Sequence, residues 1–248
     1  MNNSDENFQA RYQTLEAQMK SLAEKDGDAF LPNIKPVDSV DYVLICMEPS
    51  LGKWARTVDA ARSKVDAGFR NFTSSIEDFI LHFCIQTYLC EPTQRYHLTD
   101  LSKGAMLGDL ANNDRTERYD RWNQLLLKEI EIVAKPEAGI FAVGNAVAQH
   151  LKRRKFPRPF KQVIHYSPMA GKARKTGVVG HEKSFERFKE TITLKYVLDT
   201  AEVVLAASVP KIFLDETMKK LKGMSQLTES QQMLIFNYKL EFEAFKNK

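Results

Sequence analysis

The chain of 248 residues carries 36 Lys and Arg against 32 Asp and Glu, a formal charge of +4, with 43% hydrophobic and 27% charged residues. That is the make-up of a water-soluble globular protein long enough to bury a core unaided, and no apolar run reaches the roughly 18 residues of a transmembrane helix. Cys46, Cys84 and Cys90 are too few and too scattered for a disulfide framework or a four-cysteine metal site. The opening MNNSDENFQARYQ has no basic-then-apolar leader pattern, so a cytoplasmic, non-secreted protein is expected.

The chain then reads as follows. Phe8, Tyr12, Leu15, Met19 and Leu22 fall at helical spacing, so residues 6–25 form an amphipathic helix. Pro32 and Pro36 mark a loop. DYVLICM (41–47) reads as a buried strand that ends at Glu48-Pro49-Ser50. Residues 74–90 open with Ser74, Ser75, Glu77 and Asp78 and continue apolar, a capped helix. RYHLTDL (95–101) reads as a second strand. Residues 117–134 form a helix stopped by Pro136. GIFAV (139–143) is a third strand, followed by Gly144 and a helix over 145–154. QVIHY (162–166) is a fourth strand, and 167–175 a loop. Helices are expected over 184–207 and 228–246, punctuated by Pro210 and Gly223. Alternating strands and helices predict an α/β fold, a three-layer sandwich around a mainly parallel sheet. The expected organisation is an N-terminal helix and linker (1–37), an α/β core (38–182) and a helical C-terminal extension packed on it (183–248).

The net charge conceals an asymmetry. Between Ala138 and His181 there is no acidic residue, while nine basic ones occur: Lys152, Arg153, Arg154, Lys155, Arg158, Lys161, Lys172, Arg174 and Lys175. Without those nine charges the chain would stand at −5. Such a segment is either a solvated basic face or a footprint for nucleic-acid phosphate, and its purity favours the footprint.

Ligands of open parallel sheets bind beyond the carboxyl ends of the strands. The residues found there are Glu48-Pro49-Ser50, Asp100 to Lys103, Gly144-Asn145 and His165-Tyr166-Ser167-Pro168. Two carboxylates and a histidine converging on one rim make a candidate active site. Each alone has a plainer reading: a helix cap for Glu48 or Asp100, a satisfied core histidine for His165, and a core or interface aromatic for Trp54 and Trp122. No GxxxxGK[ST] or GxGxxG occurs, so nucleoside triphosphates and dinucleotides are not expected partners. No histidine pair has metal-ligand spacing, so no metal and no cofactor is expected.

In order, Met47-Glu48-Pro49-Ser50, Gly68-Phe69, strand-Asp100, Trp122, Gly144-Asn145-Ala146 and His165-Tyr166-Ser167-Pro168 resemble the motif set of the uracil-DNA glycosylase superfamily. The resemblance spans roughly residues 38–175, and the ordered set carries it, each motif being short. Tyr166 and Ser50 stand where the family has Pro and Gly, Glu48 where many members have Asn or Asp, and Asp100 where uracil-excising members have Asn. The cysteines of the iron–sulfur branches are absent.

The resemblance implies a monofunctional hydrolase that cleaves the bond between a flipped base and its deoxyribose and leaves an abasic site. Glu48 would orient or deprotonate water, and His165 would donate a hydrogen bond to the base oxygen. Met47, Pro49, Ser50 and Tyr166 would line the pocket, and Phe69, or failing it Phe72, would stack on the base. Ser167, Pro168 and Met169 would enter the duplex, Met169 as the wedge, or Met169 would tuck onto the core. Lys172, Arg174, Lys175, Arg153 and Arg154 would grip phosphates. Lys103 is the nearest candidate for a strand-cleaving Schiff base. An ionised Asp100 offers only acceptors, which suits the amino group of cytosine rather than uracil O4, although a protonated Asp100 would serve uracil. Because excision of ordinary cytosine would be toxic, a modified cytosine is the expected base. Some members of this superfamily are thought to defend bacteria by excising hydroxymethylated, glucosylated phage cytosine. A uracil-excising repair enzyme, a non-catalytic DNA-binding module and an unrelated α/β protein are the alternatives.

Overall fold

The structure is a computed structural model and describes residues 3–52, 54–107 and 113–247, with side chains from residue 7 onward. The chain divides into two compact units, Met1–Asn71 with Arg95–Gln162, and Phe72–Gln94 with Val163–Lys248.

The first unit is built on a parallel sheet. Strand β2 (Val40–Cys46) pairs in parallel with β4 (Tyr96–Asp100) and β6 (Ala134–Val143), and β7 (Lys161–Val163) completes the order β4-β2-β6-β7. The apolar run of β2 is buried throughout except at Asp41, as expected of an inner parallel strand. Val43 and Ile45 of β2 and Ile140 and Ala142 of β6 pack with helices α1 (Asn3–Lys25), α4 (Arg115–Val133) and α5 (Asn145–Arg153). Leu15 and Met19 of α1 meet Trp122 of α4, placing that tryptophan in the core. Gly144 caps α5 at φ 95°, a left-handed conformation that glycine adopts without a Cβ clash.

Several boundaries differ from the sequence expectation. Helix α4 ends at Val133, ahead of Pro136, and passes directly into β6, which is longer than residues 139–143. Pro136 is tolerated because β6 begins with an irregular register against β2, between Val40 and Tyr42. Helix α2 (Val58–Asp66) was not anticipated; Thr57 caps it by accepting from the Ala60 amide. Nor was a second sheet of two- to four-residue strands: β1 (Ala29–Phe30) antiparallel to β5 (Gly104–Leu107), which runs parallel to β3 (Ser50–Leu51).

The second unit is helical. Helix α3 (Ile76–Cys84) opens with a capping box between Ser75 and Asp78 and closes in a π-helical turn (Ile85–Leu89). The expected strand 162–166 stops at Val163. The region expected as a loop is a 3₁₀ turn (Pro168–Ala170) followed by α6 (Gly171–Thr176). The expected single helix over 184–207 is two, α7 (Glu182–Thr191) and α8 (Leu194–Ala206). The break falls in the β-branched run Thr191-Ile192-Thr193, where Thr193 caps α8. Helices α9 (Lys211–Lys222) and α10 (Glu229–Lys246) follow. Among the described residues no helix is long and apolar enough to cross a membrane.

Candidate active site

The parallel register places Cys46 of β2 opposite Asp100 of β4. Pairing continues past the strand ends, with the Leu101 and Ser102 amides donating to the carbonyls of Cys46 and Met47 at 2.9 and 3.4 Å. Glu48 and Asp100 therefore leave adjacent strands at the same sheet end. Pro49 is buried and Met47 half-buried. Ser50 is exposed, starts β3, and accepts from the Trp54 indole at 2.9 Å.

Glu48 is engaged on both oxygens. Oε1 accepts from Arg115 Nε and Nη2 at 3.1 and 2.8 Å, and Oε2 accepts from the Tyr119 hydroxyl in a short hydrogen bond. Arg115 and Tyr119 lie four residues apart, hence on one face of α4. Burial and the adjacent Glu48 hold the Tyr119 phenol far above its usual range, so it remains a donor.

Asp100 is buried, and its Oδ2 accepts from Asn71 Nδ2 at 2.8 Å. Burial pushes its carboxyl up to about 7, against the pull of Lys103 and Asn71. Near neutral pH it is thus poised between acceptor and donor. Two further polar side chains near this end, Asn33 and Ser102, are buried without a hydrogen-bond partner among the described residues. Asn33 follows Pro32, whose carbonyl accepts from the Asn71 amide.

Behind Asp100 lies an ionic network that the sequence reading missed. Glu129 of α4 accepts from His97 Nε2 at 2.9 Å and from Thr99 Oγ1 at 2.7 Å, and Lys103 Nζ lies 2.9 Å from its Oε2. All four are buried. Burial opposes the Glu129 charge, but Lys103 and His97 outweigh it and hold the carboxyl down at about 2. Lys103 is buried and held in this pair, which counts against its being a Schiff-base nucleophile.

Phe69 is buried, and its ring stacks on Trp54 with centroids 4.8 Å apart and planes at 15°. Phe72 belongs to the second unit. It adopts φ 61°, a strained conformation for a bulky residue. His82 Nε2 donates to its carbonyl at 3.0 Å, and its ring lies 6.1 Å from that of Tyr166.

In the second unit, His165 and Tyr166 are half-buried and stacked on each other, 5.0 Å apart. The Ser167 amide donates to His165 Nδ1 at 3.0 Å. A ring nitrogen that accepts is unprotonated, so the ring proton of neutral His165 sits on Nε2, which becomes the donor. Strand pairing stops before this residue because side chains take the flanking carbonyls. Tyr238 of α10 donates to the Ile164 carbonyl at 2.9 Å, and Arg174 Nη2 to the Tyr166 carbonyl at 2.6 Å. Arg174 also binds Ser230 Oγ at 2.9 Å. The expected phosphate-gripping role of Arg174 is therefore corrected: it is buried and positions the histidine loop. Gly177 is required beside it, since a Cβ there would sit 1.6 Å from Asn237 Oδ1. Ser167 caps the 3₁₀ turn, Pro168 is its first residue, and Met169 projects from it with 94% exposure. The option that Met169 tucks onto the core is thereby removed.

Within the basic segment, Arg153 forms a two-point pair with Asp120 at 3.0 and 2.7 Å, and Arg154 lies 3.8 Å from the same carboxylate. Arg158 donates to the carbonyls of Lys135, Pro136 and Ala138. Lys152, Lys155, Lys172 and Lys175 are exposed. Among the described residues no cluster of three His, Cys, Asp or Glu side chains is arranged to hold a metal.

The named site residues thus divide between the units, with Met47, Glu48, Pro49, Ser50, Phe69 and Asp100 in the first and His165 to Met169 in the second. Comparison with protein-family models, with curated proteins and with solved structures gave no match.

Proposed function

We propose that this chain is a DNA glycosylase of the uracil-DNA glycosylase type, a three-layer α/β fold, that hydrolyses the N-glycosidic bond of a flipped-out pyrimidine and leaves an abasic site. Its preferred base is a modified cytosine, and its setting is intracellular defence against modified foreign DNA. The observation that carries this reading is the pairing of Glu48 and Asp100 at the carboxyl ends of adjacent parallel strands, Asp100 buried and titrating near neutrality.

The roles follow from chemistry. Bond cleavage leaves an electron-poor sugar and an electron-rich base. Glu48 orients the attacking water and offsets the sugar's positive charge. His165, its proton on Nε2, donates to the base oxygen where negative charge grows. Asp100 has Oδ2 on Asn71, and its Oδ1 accepts from the exocyclic amino group. The unpartnered Asn33 amide and Ser102 hydroxyl supply further polar capacity for a substituent on the ring. Exposed lysines of the basic segment contact phosphate, and Met169 fills the space vacated by the base.

The test is base release from DNAs containing uracil, 5-hydroxymethylcytosine or its glucosylated form, with free base read by mass spectrometry and abasic sites by alkaline cleavage. Release of a modified cytosine but not uracil is the expected result. Release of uracil alone identifies a repair enzyme in which protonated Asp100 donates to O4. A second reading, a non-catalytic DNA-binding module, is favoured by the occupation of both Glu48 oxygens and predicts binding with no base released.

A further inference from the structure

Glu48 is the group that the proposed reaction needs as an acceptor, yet Arg115 holds one of its oxygens and neutralises its charge. The Glu48 side chain is 4% exposed, whereas that of Arg115 is 30% exposed. The other guanidinium groups of α4 are engaged elsewhere, Arg118 on the Asn113 carbonyl and Arg121 on Asp26. Arg115 therefore combines a hold on the reactive carboxylate with access to solvent. The phosphates that flank a nucleotide are carried by the sugar whose C1′ is attacked. A guanidinium resting on a carboxylate that faces C1′ thus lies next to the path of those phosphates. Guanidinium matches a phosphate in the same two-point geometry with which it matches a carboxylate.

We propose that Arg115 is a phosphate-responsive latch on Glu48. In the free protein it neutralises the carboxylate. When DNA binds, it turns to a phosphate flanking the flipped nucleotide and uncovers Glu48 only then. Tyr119, which approaches the other oxygen, keeps the carboxylate oriented throughout. The inference rests on the DNA glycosylase reading. It adds a phosphate contact outside the basic segment and couples that contact to exposure of the acceptor.

The experiment measures binding of the full-length chain to a duplex carrying a tetrahydrofuran abasic analogue over a range of salt concentrations. Wild type, E48Q, R115Q, R115K and E48Q/R115Q are compared. A latch predicts that E48Q, which frees Arg115 in advance, binds about two- to tenfold tighter than wild type, and that the gain vanishes in the R115Q background. The slope of log K against log salt should shrink by about 0.9 in R115Q and be retained in R115K. Where R115Q fails to fold, an E48Q variant that binds no tighter than wild type still overturns the latch. Equal tightening by E48Q with and without Arg115, or an unchanged slope in R115Q, overturns the latch. These binding results are separate from base release. If wild type binds but releases no base, the glycosylase reading falls while the phosphate contact stands. If wild type does not bind DNA, both fall.

Discussion

Asp100 and Glu129 are buried carboxylates on neighbouring elements whose acidities move in opposite directions. Asp100 has mainly lost water, and its folded pKa of about 7 lies above the ordinary 3.8 of an aspartate. The fold therefore favours its protonated form. The associated stability is fully present below pH 3.8 and is lost as pH rises through about 7. D100N removes that loss. Its advantage over wild type in urea titrations should grow from about 1.5 to 2 kcal/mol at pH 5 to about 4 kcal/mol at pH 9. An equal difference at both pH values would show that Asp100 stays ionised in the fold. Glu129 is held at about 2, below the ordinary 4.5 of a glutamate, so its contribution is present above pH 4.5 and is lost as pH falls through about 2. E129Q strands Lys103 without a counter-charge and should cost about 3 to 5 kcal/mol in the same titration at pH 7. The double change E129M/K103M should recover most of it.

At the scale of elements, the informative object is α10. Its Tyr238 holds the carbonyl before His165, and through Arg174 its Ser230 holds the carbonyl after it. Y238F removes one hydrogen bond and should lower stability by only about 1 kcal/mol. It should reduce base release much more than DNA binding, because the loop that carries His165 loosens. Loss of both in parallel would indicate unfolding instead. The sequence made α10 visible as a helix over 228–246, but not as a support for the histidine loop. Tyr238 and Ser230 lie 74 and 56 residues from the groups they hold, and no local pattern announces a contact across that separation. For the same reason Arg115, Tyr119, Asn71 and Glu129 escaped notice, whereas Glu48 and Asp100 could be placed by the strand-end rule alone. The short strands β1 and β3 were invisible because two residues carry no periodicity.

For the molecule as a whole, the acid-free stretch from Ala138 to His181 is less uniform in space than in sequence. Arg158 and Arg174 are held by backbone carbonyls and by Ser230, and the exposed Arg153 and Arg154 share Asp120, while Lys152, Lys155, Lys172 and Lys175 are exposed. Electrostatic binding should therefore follow the lysines. K172A/K175A should reduce the salt slope of duplex binding by about 1.8, two phosphate contacts' worth, with little change in melting temperature. An unchanged slope would mark the segment as a solvated face. The legible part at this scale was the charge itself and the parallel sheet of the first unit, with its long apolar strands and periodic helices. The division into units was less legible, because residues 72–94 join a unit whose remainder begins at Val163.

The anchoring of the His165 loop by the final helix also bears on genetics. Glu48, Asp100, His165 and Met169 all precede residue 176, while Ser230, Asn237 and Tyr238 are encoded later in the reading frame. A nonsense or frameshift allele between the two groups would keep every one of the former and yet remove the side chains of the last helix that hold the His165 loop.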